Sequence, residues 1–410
     1  MSGLIRVQAP GAPRQRKMRS PHFPIVGTMK PYGLYPLWIH PVLPGETVEK
    51  IKTRMRCVSH PIANPLAGCW FEMWFVYVKL TDIAEELTDM FITDTMSTTG
   101  YTEASDQERY FSKSGQIAWT RLATERVHDT WFMDEDETAR SIDGVRKTRM
   151  DHVSWAQNCV FEQADETPNT TDIGELGEQL TKWQMLQQMS MSEISYDDYL
   201  KQYGVKADRL NPRQPEILRY ARKWVLPKNA IEPSDGSPSS AWAWYEDIEL
   251  NKAKRFDEPG FLLCLTTARP KMYQKHLTAS MVGELWGFSD WFPVYNLDDP
   301  TSGVKTISTA SSIFHADHRT DVGDKDILYD HRDLLMHGEQ FINDYTPVHS
   351  HPMSAGMLAQ DASDAYEIRG LYADDTSIDA LFSGTNKGFF YEGMATIGMK
   401  GHLTDHTPTG

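Results

Sequence analysis

Four cysteines in 410 residues are too few for a disulfide scaffold, and Cys57, Cys69, Cys159 and Cys264 stand far apart, with no CxxC or Cys/His metal pattern. They read as buried free thiols. No apolar run reaches the roughly 18 to 20 residues that cross a bilayer, and the basic N-terminus lacks the hydrophobic core of a signal peptide. The chain therefore reads as soluble and unexported, with no membrane partner. There is no Gly-x-Ser-x-Gly elbow, no GxxxxGK[ST] phosphate loop and no GxGxxG after a strand, so hydrolase, NTPase and dinucleotide-binding classes have no anchor. Acidic residues are missing from residues 1–45, where Arg6, Arg14, Arg16, Lys17, Arg19 and Lys30 are the charged side chains.

Apolar residues at 40% and aromatics at 11% supply an ample core and exclude a wholly disordered chain. The net charge of −16 argues against a general nucleic-acid-binding surface, yet residues 46–410 carry −22, the whole chain's −16 less the +6 of the first 45 residues. The stretch APGAPRQRKMRSPHFP is rich in Pro and Gly and short of large apolar side chains. Residues 1–30 thus read as a basic arm, mobile or draped, suited to phosphates, to acidic sister chains, or to solubility alone.

Strand signals follow in residues 31–82. GLYPLWIHPVL, VEKIKTRMRCVS and CWFEMWFVYVKLTD carry the β-branched and aromatic side chains that strands favour. In the second run Val48, Ile51, Met55 and Val58 keep only rough period, which leaves one face wet. The third, Trp70 to Leu80, is apolar almost throughout and reads as a strand buried on both sides. Between the first two, Pro44 fixes φ and removes an amide donor while Gly45 admits unusual angles, so a sharp turn is expected.

Residues 83–250 read as a long insertion of helices and loops. DIAEELTDMFI suggests a short helix; the longer run from Thr171 to Val205 has the best helical period, with Leu180, Trp183, Leu186 and Met189 on one stripe that reads as core. FMDEDETARSIDG and IEPSDGSPSS read as exposed loops. Strand signals return in residues 251–345, at GFLLCLTTARP, WFPVYNL and KTISTASSIF, and residues 346–410 read as a C-terminal extension. Strands at both ends with excursions between them suggest one β-sandwich, a single structural domain overall.

Histidine offers little. His315, Asp317 and His318 lie together, and His349 and His351 alternate, but a cupin-type metal site needs a Glu three or four residues after His-x-His, where Ala355 and Gly356 stand. Asp321 to Asp326 lacks EF-hand spacing. No metal ligand, cofactor or catalytic residue is assigned.

The specific signals are structural. HFPIVGTMKPYGLYPLWIHPVLPGETVEKIKTRMRCVSHPIANPLAGCWFEMWFVYV resembles the opening of the major capsid protein of the Microviridae, small bacteriophages with circular single-stranded DNA, where a VLPG[DE]T corner joins the first two capsid strands. YDDYLKQYGVKADRLNPRQPEIL, EPGFLLCLTTARPKMYQKHL and the GEQF of Gly338 to Phe341 resemble later family segments in the same order, over roughly residues 22–341. The likeness is nearer to the gokushovirus and marine, Roseobacter-phage branches; residues 82–196 and the tail after Tyr345 match no family motif.

The resemblance implies a mainly β fold: a viral single jelly roll, an eight-stranded antiparallel β-sandwich with long helix- and loop-containing insertions. It implies no enzyme, but a structural protein whose 60 copies form a T=1 icosahedral shell. Its partners would be itself, single-stranded genomic DNA and minor virion proteins of pilot or DNA-binding type. Its place would be the virion, assembled in the host bacterial cytoplasm. Arg14, Arg16, Lys17 and Arg19 are the candidate DNA contacts, and Pro44 and Gly45 the structural turn. The rival reading is a jelly-roll carbohydrate-binding or carbohydrate-active protein, with exposed Trp platforms and paired carboxylates. A metal-dependent oxygenase built on the histidines stands behind both.

Overall fold

The computed structural model describes residues 17–63, 68–84, 100–103, 108–133, 139–150, 160–162, 214–231, 238–271, 273–274, 304–307, 326–330, 354–355, 372–373 and 375–401. The first strands are β1 (Lys17–Arg19), β2 (His22–Met29), β3 (Tyr35–Val42), β4 (Thr47–Ser59) and β5 (Cys69–Lys79), followed by helices α1 (Leu80–Ile83) and α2 (Trp119–Trp131). Next come β6 (Ser141–Ile142), β7 (Val145–Arg146), β8 (Val160–Glu162), β9 (Glu216–Val225), β10 (Lys228–Ile231), β11 (Pro238–Ala241), β12 (Ala243–Leu250), β13 (Lys254–Arg255) and β14 (Gly260–Pro270). The last are β15 (Tyr273–Gln274), β16 (Val304–Ile307), β17 (Asp326–Asp330), β18 (Ser354–Ala355), helix α3 (Asp375–Ala380) and β19 (Phe389–Gly401).

Two antiparallel sheets dominate. In the first, β19 and β4 pair in the centre; β1 and β2 flank β19, and β12 and β13 flank β4. The second has the order β3-β14-β5-β9. Their facing sides share one core, a packing compatible with a β-sandwich. Phe71 of β5 meets Trp244 of β12 at 4.7 Å between ring centroids. Trp38 of β3 lies 6.4 Å from Phe23 of β2 and donates its indole N–H to Thr53 Oγ1 of β4 at 3.0 Å. Burying side chains of this size stabilises by about 1.5–3 kcal/mol each.

Sequence period explains the faces. Along β4, Ile51, Thr53, Met55, Cys57 and Ser59 point inward while Lys50, Arg54 and Arg56 are exposed. The phase slips at Glu49, the extra residue of a bulge, since Gly398 pairs with Lys50 and Met399 with Val48. Hence Val48 and Ile51 both face the core although three apart, and Val58 falls on the outer side. β5 is buried on both faces, because α2 covers its second side. That helix buries Thr120, Ala123, Thr124, Val127 and His128, one helical face. Lys147 holds α3 in place, donating to Ala373 O at 2.6 Å and pairing with Asp375 at 2.7 Å.

Three expectations are corrected. Residues 17–29 are not a draped arm but strands β1 and β2, because β19 offers backbone partners for both and Ile25 and Met29 reach the core. The span 83–250 is not one insertion: β9 and β12 belong to the two main sheets. Nor is 346–410 only an extension, since β19 is a central strand of the first sheet. FMDEDETARSIDG and IEPSDGSPSS, read as loops, run into the β6–β7 and β10–β11 hairpins. The helical run from Thr171 to Val205, with its stripe, lies outside the described residues.

Candidate functional site

Pro44 and Gly45 occupy the middle of a turn between β3 and β4, that is, between the two sheets. Gly45 has φ 80° and Glu46 N–H donates to Leu43 O at 3.1 Å, the type II pattern with Pro first and Gly second. The corner is fastened by three more hydrogen bonds. Glu46, almost fully buried, accepts from Leu43 N–H at 2.8 Å, and the Gly45 and Phe256 amides bond to Phe256 O and Glu46 O. A side chain at Gly45 would meet nothing within 4 Å, so glycine serves the backbone angle and not space.

Of the four candidate DNA contacts, Arg14 and Arg16 lie outside the described residues. Lys17 and Arg19 sit in β1, with their backbones opposite Gly401 and Met399. The outer face of the same sheet carries a charge ladder: Lys50 pairs with Glu249 at 2.7 Å, Lys52 with Asp247 and Glu249 at 3.3 and 3.2 Å, and Arg54 with Asp247 at 3.1 Å. Opposite charges on adjacent strands neutralise one another here.

The second sheet holds a different cluster, which the sequence reading did not single out. Glu72 of β5 is 1% exposed. Its carboxylate accepts from Tyr220 Oη and Arg269 Nη2, and Arg222 Nε stands 3.4 Å away. Arg222 also lies over the Trp70 ring, 3.8 Å from its centroid, and Trp70 packs on Trp224 at 4.7 Å. Tyr220 stacks on Trp74 at 5.5 Å. Burial, then the bond to Glu72, pushes the Tyr220 hydroxyl well above its usual range. The signal in the sequence was a single Glu inside the apolar run CWFEMWFVYV, since a buried carboxylate requires partners.

Among the described residues no group of three His, Cys, Asp or Glu could hold a metal ion. His315, Asp317, His318, His349, His351 and Asp321 lie outside the described residues, while Asp326 begins β17. Cys57, Cys69 and Cys264 are free, buried thiols, and burial raises all three above the ordinary thiol range; Cys159 lies outside. An apolar groove of about 740 Å³ opens beside the β3–β4 turn, with Leu43, Phe111, Trp119 and Phe261 in its wall. No protein-family model matches this chain, and no curated protein is similar to it at a significant level.

Proposed function

We propose that the chain is a shell-forming structural subunit, a major capsid protein of the Microviridae type. Its fold is a viral jelly roll, and its 60 copies enclose a circular single-stranded DNA genome in a T=1 virion assembled in the bacterial cytoplasm. One observation carries the reading. Numbered one to eight in chain order, β2, β3, β4, β5, β9, β12, β14 and β19 pair first with eighth, second with seventh, third with sixth and fourth with fifth. That order supports the reading, because it is the order expected of one long hairpin rolled across two sheets, as in the double Greek keys of capsid and lectin jelly rolls. The turn at Pro44 and Gly45 joins the second and third of these eight strands, one place later than the junction of the first two strands that the resemblance implied.

Further support is chemical: the buried Glu72 carboxylate is occupied by the chain's own arginines and tyrosine. Glu72 is therefore spoken for as a structural hub, which weakens the carbohydrate-active rival. In this reading Arg14, Arg16, Lys17 and Arg19 remain the DNA contacts, at or just before the strand that borders the first sheet. The test is electron microscopy of the purified full-length protein. Closed shells roughly 25 to 30 nm across are expected for rings of subunits this large; a protein that stays monomeric at every concentration overturns the proposal.

A further inference from the structure

We propose that the outer face of the first sheet is the docking surface for a second copy of this chain, the two copies meeting face to face about a twofold axis; the step rests on the shell-forming reading. Strands β2, β19, β4 and β12 lie side by side, and their register sets the outward residues in rows. One row is Val26, Glu392, Arg56 and Tyr245. Val26 is 74% exposed and Tyr245 53%; in the rows on either side Phe390 is 52% and Met394 43% exposed. These four large apolar side chains surround Arg56 and Glu392, and an exposed apolar patch with a polar rim marks a contact surface. Lys52, Arg54, Asp247 and Glu249 in the neighbouring rows pair with one another. Among the described residues Arg56 and Glu392 have no ion-pair partner, although they stand opposite each other.

Two copies of a chain with net charge −16 repel, so the surface they share must be close to neutral. The four rows from Phe390 to Thr396 hold three cations, Lys52, Arg54 and Arg56, and three carboxylates, Asp247, Glu249 and Glu392. Their placement sets the symmetry. An axis running along the strands between β19 and β4 lays β4 of one copy over β19 of the other, and β12 over β2. Arg56 then meets Glu392 of the second copy, twice over, while Val26 meets Tyr245, Phe390 meets Val58 and Met394 lies on the stem of Arg54. No charge meets its like, because Glu392 is the only charged residue that β2 and β19 bring to these rows at neutral pH. Twisted sheets pack face to face in this aligned way, about 10 Å apart. With strands about 4.8 Å apart and outward residues about 6.6 Å apart, the rows cover roughly 500 Å² per copy. About 1,000 Å² for the pair is the lower bound of a specific interface, which suits a contact that other contacts in a shell complete.

In a twofold contact each residue is used twice, so exchanging the two charges restores what reversing one destroys. Arg56→Glu sets carboxylate against carboxylate at two places, Glu392→Arg sets cation against cation, and the double variant is complementary again. Assembly of the full chain is followed by sedimentation velocity and electron microscopy. The yield of dimers and shells is expected to fall at least about tenfold in each single variant and to recover in the double variant. Both side chains are exposed, so thermal melting of the single variants is expected to match wild type, which separates a lost contact from a lost fold. If the single variants assemble like wild type, the docking face is overturned while the shell reading stands. A double variant as defective as the single ones overturns it too, since the contact is then not twofold. Shells of Arg56→Glu that form normally but hold no nucleic acid would make this face a genome contact and overturn it as well. Wild-type dimers that never close into shells support the face and overturn the shell reading; wild-type protein that stays monomeric overturns both.

Discussion

On the first sheet, charges stand in the open and answer one another across strands: Lys50, Lys52 and Arg54 of β4 against Asp247 and Glu249 of β12. On the second, one carboxylate is shut inside and two arginines and a tyrosine turn toward it. Both sheets are four positions wide and antiparallel, so backbone geometry does not make the difference. What makes it is the second face. Water covers the outer side of β4, whereas α2 covers part of that of β5 and side chains of the neighbouring strand β9 close over Glu72, and a charge without water must be given partners. The first sheet teaches little about stability and much about solubility; the second is where a single polar atom decides whether the packing holds.

The largest effect is therefore expected at Glu72. Glu72→Ala leaves Arg269 facing a site without its anion and is expected to cost about 3–5 kcal/mol, read from the denaturant midpoint. Replacing Glu72 and Arg269 together by leucine is expected to recover most of that loss, since a well-packed apolar pair can match a buried ion pair. A single Glu72→Ala no more costly than a change on the outer face of the first sheet would break the comparison.

The crossing between the sheets comes next. Because Gly45 has φ 80° and open space around it, Gly45→Val places a β-branched residue in the left-handed region at a cost of about 1–3 kcal/mol, with Gly45→Ala nearer the lower end. Melting of the two variants checks this. Equal stability of wild type and Gly45→Val would show that the corner relaxes at no cost.

Much of this contrast could be read from residues alone. The continuous apolar run from Trp70 to Leu80 announced a strand covered on both faces, and GFLLCLTTARP coincides with β14 from first residue to last. The corner at Pro44 and Gly45 followed from their own backbone limits. Other parts were hidden for physical reasons. Helix α2 has Ala118 at its N-cap and buries mainly Thr and Ala, so neither a capping residue nor a Leu stripe advertises it. Asp143-Gly144, both with positive φ, form the two-residue turn of the β6–β7 hairpin, yet the acidic residues before them made the segment look like loop. β1 and β2 gain their order from β19, far away along the chain, as the pairing of His22 with Thr396, 374 residues apart, shows; local composition cannot carry that. The partners of Glu72 come from β9 and β14 and needed the fold to be found.

Buried acids sharpen the contrast through pH. The thiols of Cys57, Cys69 and Cys264 and the phenol of Tyr391, pushed up to about 12, resist ionisation when folded because burial penalises the charged form. In the unfolded chain the same groups ionise normally, the thiols first. Their contribution to stability is thus complete below about pH 8.5 and is lost as pH rises through the alkaline range. Tm is expected to fall by a few degrees between pH 8 and 10, and a flat Tm over that range would mean that these groups are open to water in the native state.

The smallest effect is expected on the outer ladder. Arg54 and Asp247 lie in water-rich surroundings, where screening removes most of the Coulomb attraction and two long side chains lose freedom in pairing. A double-mutant cycle of Arg54→Ala and Asp247→Ala is expected to give a coupling under about 1 kcal/mol, shrinking further in 0.5 M salt. The value matters less than its ratio to Glu72. If the exposed pair coupled as strongly as the buried hub, the outer face of the first sheet would have to be shielded from water, and under the proposed shell-forming role the natural shield would be a neighbouring subunit.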